Sequence, residues 1–126
     1  IGLAICYDIE FAEVARMLAE ARAQIIVVPT ANMTPYWNVP TTLVRARALE
    51  CGVGVVYANL SGAEGALAYT GLSAAVGPDG RDVARAGPDG PVLLTVPFAS
   101  LTAAHKISTT QAADRRTAQL RVDPPR

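Results

Sequence analysis

The sequence predicts an α/β fold whose sheet is at least partly parallel. Two apolar, β-branched segments, at residues 1–5 and 24–29, flank a segment with helical periodicity. A strand, a helix and a second strand in this order form a βαβ unit, and its crossover is almost always right-handed. A third apolar segment, at residues 53–58, reads as another buried strand. These three observations together indicate the fold class.

The predicted helices rest on apolar spacing and on the residues at their ends. Apolar side chains recur at i, i+3, i+4 and i+7 in the first helix, which places on one face Val14, Met17, Leu18 and Ala21. A second helix is predicted from about Val39 to Cys51, with Asn38 as its N-cap and Gly52 at its end. A short third helix is predicted at residues 98–105.

The remaining segments predict short strands joined by turns. Residues 59–65 are rich in turn formers and predict a connection rather than a strand. Two similar turns, at residues 77–80 and 87–90, separate the later apolar segments. The strands predicted there are residues 72–76, 83–86 and 92–96. From Ser108 onward the chain is polar, and we expect a loose surface segment.

Composition narrows the classes of function. The chain has 126 residues, 51% of them hydrophobic, and a formal net charge of zero, as in ordinary soluble globular proteins. The sequence has no apolar run near the roughly 20 residues of a membrane span, and no basic patch for nucleic acid. We therefore expect a small-molecule or protein partner, with no nucleic acid and no membrane. Two cysteines without a disulfide framework favour reduced thiols and a cytoplasmic location.

Cys6 is the candidate nucleophile. It ends an apolar strand just before a helix, at the edge where open α/β sheets place their ligands. The positive end of the following helix would favour the thiolate form. Judged by position alone, a free cysteine that ends an apolar strand more often fills the core. Cys51, at the end of the second helix, is interpreted as structural, because the sequence offers no ligand cluster around it.

A polar and aromatic loop follows the second strand at the same edge of the predicted sheet. Residues 30–38 include Asn32, Tyr36 and Trp37. These side chains can shape a small-molecule pocket or simply cover the core, and both interpretations stay open. A dinucleotide-binding motif around Gly52 and Gly54 is rejected, because the glycines lie before and inside a strand and the third glycine is missing.

The residues that follow the first strand resemble the nucleophile motif of the nitrilase, or carbon–nitrogen hydrolase, superfamily. That motif is Cys-Tyr-Asp, a variable pair and Phe-Pro-Glu, and it stands here as Cys6-Tyr7-Asp8-Ile9-Glu10-Phe11-Ala12-Glu13, with Ala12 for the proline. Further matches follow in the family's order: Arg45–Glu50, Gly52, Val55–Asn59, Gly62, Glu64, Gly65, Tyr69, Gly71, Ser73, Gly77–Gly80 and Asp114–Arg116. The proline and tyrosine that usually follow the last motif are absent.

The resemblance implies a four-layer α-β-β-α sandwich with mixed sheets, which forms a homodimer or a higher homo-oligomer. It implies that Cys6 attacks an amide or nitrile carbon, that the resulting thioester or thioimidate is cleaved by water, and that the Tyr7 N–H stabilises the developing charge. In the family, the general-base glutamate and a lysine precede the cysteine. We therefore expect residues 1–126 to be the carboxyl-terminal half of a carbon–nitrogen hydrolase domain, inactive alone.

The resemblance also bears on the substrate. The Cys-Tyr-Asp form is similar to the amidase-like branches, which favours an amide over a nitrile. Glu10 occupies a position where relatives that act on carboxylate-bearing substrates tend to carry arginine, so it would favour neutral or amine-bearing amides, unless it is only a solvated first-turn residue. Asn32, Tyr36 and Trp37 would line the acyl pocket. No cofactor or metal is expected. The alternative is a non-catalytic binding or assembly module with the same fold.

Overall fold

A computed structural model describes residues 1–103. Its strands are β1 Gly2–Leu3, β2 Ile25–Thr30, β3 Gly54–Asn59, β4 Ser61–Glu64, β5 Leu67–Thr70, β6 Ala74–Val76 and β7 Asp82–Arg85. Its α-helices are α1 Ala12–Glu20, α2 Val44–Cys51 and α3 Phe98–Thr102. A 3₁₀ helix at Cys6–Glu10, named here the Cys6 turn, and a π-helical turn at Val39–Leu43 complete the list. The predicted polar tail, the end of the third helix and the Asp114–Arg116 motif lie outside the described residues.

One mixed sheet organises the chain. Its strand order is β1-β2-β3-β6-β7, with β1, β2 and β3 parallel and with β6 and β7 antiparallel to their neighbours. The α1 crossover joins β1 to β2, as the βαβ pattern predicted. In the register of β2 and β3, Thr30 lies opposite Asn59. The strands β4 and β5 pair as a separate hairpin.

The sheet buries apolar side chains on both faces. Ile26 and Val28 belong to the larger core cluster, against which α1 residues and α2 residues pack. Ile25 points to the opposite face, because successive strand side chains alternate, and there it packs with Leu101 of α3. Burial on both faces explains why β2 reads as an uninterrupted β-branched run. Every helix within residues 1–103 is too short or too polar to cross a lipid bilayer.

The structure corrects several element predictions. The predicted strand at residues 92–96 is irregular, and its Leu93 side chain is 90% exposed; the preceding Pro91 has no N–H to donate to a ladder. The predicted connection at residues 59–65 instead completes β3 and contains the whole of β4, since cross-strand bonds to β5 override turn-rich composition. Asn38 is not an N-cap: its backbone is already helical and its side chain caps no N–H.

Candidate active site

A cavity of about 400 Å³ lies beside Cys6 at the carboxyl edge of β1 and β2. Parallel strands bring their carboxyl ends to one edge, which is why residues separated in sequence meet here. Five of the six predicted site residues line it: Cys6, Tyr7, Glu10, Asn32 and Tyr36. Four further residues line it as well: Thr30, Ala31, Met33 and Val39. The cavity thus combines a thiol, a carboxylate and an amide with apolar walls.

Cys6 begins its 3₁₀ helix in a left-handed backbone conformation, with φ of 52°. A non-glycine residue adopts this conformation at a cost, and such residues cluster at functional sites. Asp8 closes the turn, because its carboxylate accepts a hydrogen bond from the Ile5 N–H at 2.9 Å. The Asp8 N–H donates to the Ile5 carbonyl at 3.1 Å. The sharp turn leaves the Cys6 side chain exposed rather than buried in the core.

The surroundings of the Cys6 sulfur favour the thiolate. The backbone N–H of Ala31, the Thr30 hydroxyl and the backbone N–H of Tyr7 all lower the pKa of Cys6. Burial and the negative charge of Glu10 act in the opposite direction, and the net result is a pKa below the ordinary value of a cysteine. Hydrogen bonds to the charged form stabilise it, and a thiolate is the nucleophilic form of cysteine. Cys6 therefore has the electrostatics of a reactive thiol.

Glu10 ends the Cys6 turn and lines the cavity. Within residues 1–103, its carboxylate makes no hydrogen bond or ion pair, whereas its backbone carbonyl accepts a bond of 2.7 Å from Arg47. The carboxylate is thus the negative group of the cavity that remains available to a bound ligand.

Asn32 is held by a buried polar network, which sequence reasoning did not anticipate. Its Nδ2 donates to the Tyr36 carbonyl at 3.0 Å and to Thr70 Oγ1 at 2.9 Å. Its backbone N–H donates to Asn59 Oδ1 at 2.7 Å. The side chain is 8% exposed. Both amide hydrogens are committed to the protein, so the atom left to meet a ligand is Oδ1.

The aromatic loop contributes one ring to the cavity. Tyr36 lines it, whereas Trp37 is absent from the lining and its side chain is 42% exposed. The Trp37 carbonyl accepts from Thr41 Oγ1 at 2.6 Å, so the chain is already turning into the next helix at this residue. Trp37 is thus the one predicted pocket residue that is not among those lining the cavity in the described part of the chain.

Several residues around the site were missed from the sequence. Thr30 and Ala31 directly follow the apolar run of β2, and the rule that ligands meet strand ends could have included them. Arg47 and Asn59 match family motifs in the sequence, but those matches assigned them no role at the site. Cys51 packs against the larger core cluster, which is consistent with the structural role predicted for it. No group of three or more metal-ligating side chains occurs in the part of the chain that is described.

Comparisons with known proteins find relatives among hydrolases and amidases. A hydrolase from the pqqF 5′ region of Pseudomonas protegens is 52% identical over 89 residues, covering 71% of this chain and 31% of the relative. An (R)-stereoselective amidase from Pseudomonas sp. is 43% identical over 90 residues, covering 71% and 33%. The chain thus spans about a third of the length of these curated relatives.

Solved structures of a nitrilase-superfamily amidase from Nesterenkonia sp. AN1 share the fold. A cysteine-to-alanine mutant superposes with a TM-score of 0.67 at 41% identity, covering 69% of this chain and 33% of the other. Another mutant of that amidase shows Michael addition of acrylamide at the active-site cysteine, at 42% identity and the same TM-score, with 69% and 34% covered. The predicted α/β class with a nitrilase-like mixed sheet is confirmed. Residues 1–106 match the family described as Carbon-nitrogen hydrolase, and the chain belongs to that family.

Proposed function

We propose that the protein hydrolyses the carbon–nitrogen bond of a small-molecule amide, with Cys6 as the nucleophile. The observation that carries this proposal is the Cys6 thiol at the cavity, whose pKa is lowered by hydrogen bonds from Ala31, Thr30 and Tyr7. The amidase relatives support an amide rather than a nitrile. An active-site cysteine in the Nesterenkonia amidase supports the choice of nucleophile.

The proposed reaction has two halves. The Cys6 thiolate attacks the amide carbon and forms a C–S bond, and the carbonyl electrons move to the oxygen, where the Tyr7 N–H donates to the oxyanion. Collapse of this intermediate breaks the C–N bond, and the leaving nitrogen takes up a proton as ammonia or an amine. Water then attacks the thioester, the acid is released, and the thiolate is regenerated.

Proton transfer in both halves requires a general acid–base group. The family resemblance places that glutamate, and a lysine, before the cysteine, so we do not assign either role to Glu10 or Glu13. We propose that residues 1–126 form the carboxyl-terminal part of the catalytic domain. That the match covers only about a third of the relatives supports a partial domain. On this proposal the isolated chain binds but does not turn over its substrate.

The cavity supports a proposal on substrate class. The Glu10 carboxylate would attract an amine on the substrate and repel a carboxylate, while Tyr36 and Met33 contact the apolar part of the acyl group. Asn32 Oδ1 would accept from the amide N–H₂. Neutral and amine-bearing amides are therefore the proposed substrates, and nitriles are the less favoured alternative.

The proposed function is tested in the complete natural protein with Cys6→Ala and with Cys51→Ala as the matched control. Cys6→Ala is expected to lower amide hydrolysis at least about a thousandfold, because no covalent intermediate can form. Cys51→Ala should keep wild-type turnover. Acid quenching during turnover, followed by peptide mass spectrometry, should find the acyl group on the peptide that contains Cys6.

Two outcomes would contradict the proposal. Full activity of Cys6→Ala would show that Cys6 is not the nucleophile. Tight amide binding without any acyl adduct would favour the binding or assembly module instead. Hydrolysis by residues 1–126 alone, abolished by Cys6→Ala, would contradict the proposed need for further catalytic residues.

A further inference from the structure

Arg47 on α2 has a buried guanidinium that contacts the carboxyl end of the Cys6 turn. Its Nε donates to the Ile9 carbonyl at 3.2 Å and its Nη2 donates to the Glu10 carbonyl at 2.7 Å. Its Nη1 pairs with Glu50 Oε1 at 3.0 Å. The residue is 9% exposed. All three guanidinium nitrogens therefore have partners, and two of them bond to consecutive carbonyls at the end of one short helix.

These contacts supply donors to two carbonyl groups at the end of a helix. The last carbonyls of a helix lack intrahelical donors and require partners from elsewhere when they are buried. A planar guanidinium presents several N–H groups in a rigid fork, so one side chain can satisfy two neighbouring carbonyls and hold their direction. A lysine at the same place would offer a point charge without that directional constraint.

Besides Arg47, the Cys6 turn is held by the Ile9 side chain, which is buried in the larger core cluster, and by the bonds between Ile5 and Asp8 at its beginning. The preceding strand is anchored by the Ala4 N–H, which donates to the Val27 carbonyl at 3.1 Å. The turn contains only five residues, so a shift at Glu10 displaces Cys6 and Tyr7 relative to Ala31 and Thr30. Two of the donors to the Cys6 sulfur, the Thr30 hydroxyl and the Ala31 N–H, lie at the carboxyl end of β2 and not in the turn, so their distance from the sulfur depends on both anchors.

We propose that Arg47 is a positioning residue, which holds the carboxyl end of the Cys6 turn so that the Cys6 sulfur, the Tyr7 N–H and the Glu10 carboxylate keep their places around the cavity. The role in catalysis rests on the proposed function, whereas the effect on the thiol does not. Arg47 reaches the Cys6 turn through the backbone carbonyls of Ile9 and Glu10. It forms and breaks no covalent bond in the proposed reaction.

Arg45 offers a matched control on the same helix. It is two positions away, its side chain is 45% exposed, and it pairs with Asp82 on β7. It has no hydrogen bond to the Cys6 turn among the described residues. Substitutions at Arg45 therefore test the loss of an arginine and an ion pair from α2 without loss of the contacts to Ile9 and Glu10.

The experiment compares Arg47→Lys with Arg45→Lys in the complete protein. The rate of Cys6 alkylation by iodoacetamide is measured against pH by peptide mass spectrometry, which separates Cys6 from Cys51, and kcat and KM are measured for an amide. Arg47→Lys should move the alkylation midpoint to higher pH, because the sulfur loses well-placed donors and the thiolate is less stable. It should lower kcat about 10- to 100-fold. Arg45→Lys should change neither.

Chemical rescue separates positioning from a general loss of structure. In Arg47→Ala, guanidinium ion at concentrations below those that denature should restore part of the kcat and move the alkylation midpoint back, whereas sodium chloride should do neither. Glu50→Gln is the milder variant, which removes only the ion pair and should shift the midpoint in the same direction by less.

The outcomes are distinguishable. Wild-type midpoints and kcat in Arg47→Lys, or in Glu50→Gln where Arg47→Lys does not fold, overturn the proposal. An equal shift in Arg45→Lys overturns it too, because the effect would then be general to α2. A shifted midpoint in a protein that hydrolyses no amide would contradict the proposed function while supporting Arg47 as the residue that positions the thiol.

Discussion

Cys6 combines backbone strain with a stabilised charge. Its φ of 52° is unfavourable for a residue with a Cβ, and the surrounding bonds hold it in place. The same conformation exposes the side chain toward Thr30 and Ala31, whose groups lower the pKa of the thiol. Glu10 opposes them, since its charge raises that pKa. Two features of one residue, the strain and the thiolate, thus follow from a single sharp turn.

At the same scale, Glu10→Gln tests the charge of the cavity. In the complete enzyme, it should lower kcat/KM for an amino amide about three- to tenfold, because a partly exposed ion pair contributes about 1 kcal/mol. The deaminated analogue should not suffer this loss. Glu13→Gln is the control, since Glu13 is exposed and lies outside the cavity lining.

The substitution has a second effect that must be separated from the first. Removing the Glu10 charge also lowers the pKa of Cys6, and the resulting gain in thiolate is common to both substrates. The ratio of the two kcat/KM values, measured across pH, isolates recognition of the amine. An unchanged ratio would show that Glu10 does not face the substrate.

At the scale of elements, Asn59 joins three strand ends near the site. Its Nδ2 donates to Thr70 Oγ1 at 2.9 Å, to the Gly71 carbonyl at 2.8 Å and to the Asn32 carbonyl at 3.2 Å. Its Oδ1 accepts from the Asn32 N–H. Thr70 is fully buried. The amide therefore fixes the loop after β2 against β3 and against the β4–β5 hairpin.

Asn59→Ala is expected to lower the free energy of unfolding by about 2–3 kcal/mol, because it removes the acceptor of the Asn32 N–H and a donor to the Gly71 carbonyl, both part-buried. Asn59→Asp should be no better, since a carboxylate would face the Asn32 and Gly71 carbonyls. Urea denaturation measures both, with Ser61→Ala as the control, whose exposed hydroxyl bonds only the Gly90 carbonyl. Equal midpoints for Asn59→Ala and Ser61→Ala would contradict the role of the network.

At the scale of the whole molecule, α3 covers the second face of the sheet at the edge away from the site. Gly54 begins β3, and a Cβ there would overlap the Leu101 carbonyl of α3. Leu101 packs on Ile25 and Ala75. The close approach of helix and strand thus depends on the missing side chain at Gly54.

Gly54→Ala should displace α3 and lower the free energy of unfolding by about 1–3 kcal/mol, as overpacking does. Gly87→Ala is the control, because a Cβ at Gly87 meets no atom within 4 Å. Thermal unfolding and hydrogen exchange at residues 98–102 measure the effect. Cys6 alkylation should stay unchanged, since the cavity lies at the carboxyl ends of the strands. Altered alkylation would show that the two edges are coupled.

A buried strand could be predicted from its own residues, whereas strands that depend on a pairing partner could not. The βαβ order was predictable because β2 is buried on both faces and accordingly begins with four consecutive β-branched residues. The prediction of a strand at residues 92–96 was wrong, because local propensity does not indicate whether a neighbouring strand is available for pairing. The hairpin at β4 and β5 was missed for the reverse reason: the two strands pair well, but β4 consists of small and polar residues with weak β-propensity.

The sequence by itself determined the fold class, the place of Cys6 at a strand end and its grouping with Tyr7 and Glu10, because residues within one turn stay together in any fold that forms the turn. Only the tertiary structure decided that Arg47 contacts Ile9, 38 positions away, that Asn32 bonds Thr70 across the same separation, and that Tyr36 rather than Trp37 lines the cavity. Such contacts depend on how whole elements pack, and packing follows burial across the molecule rather than any local pattern.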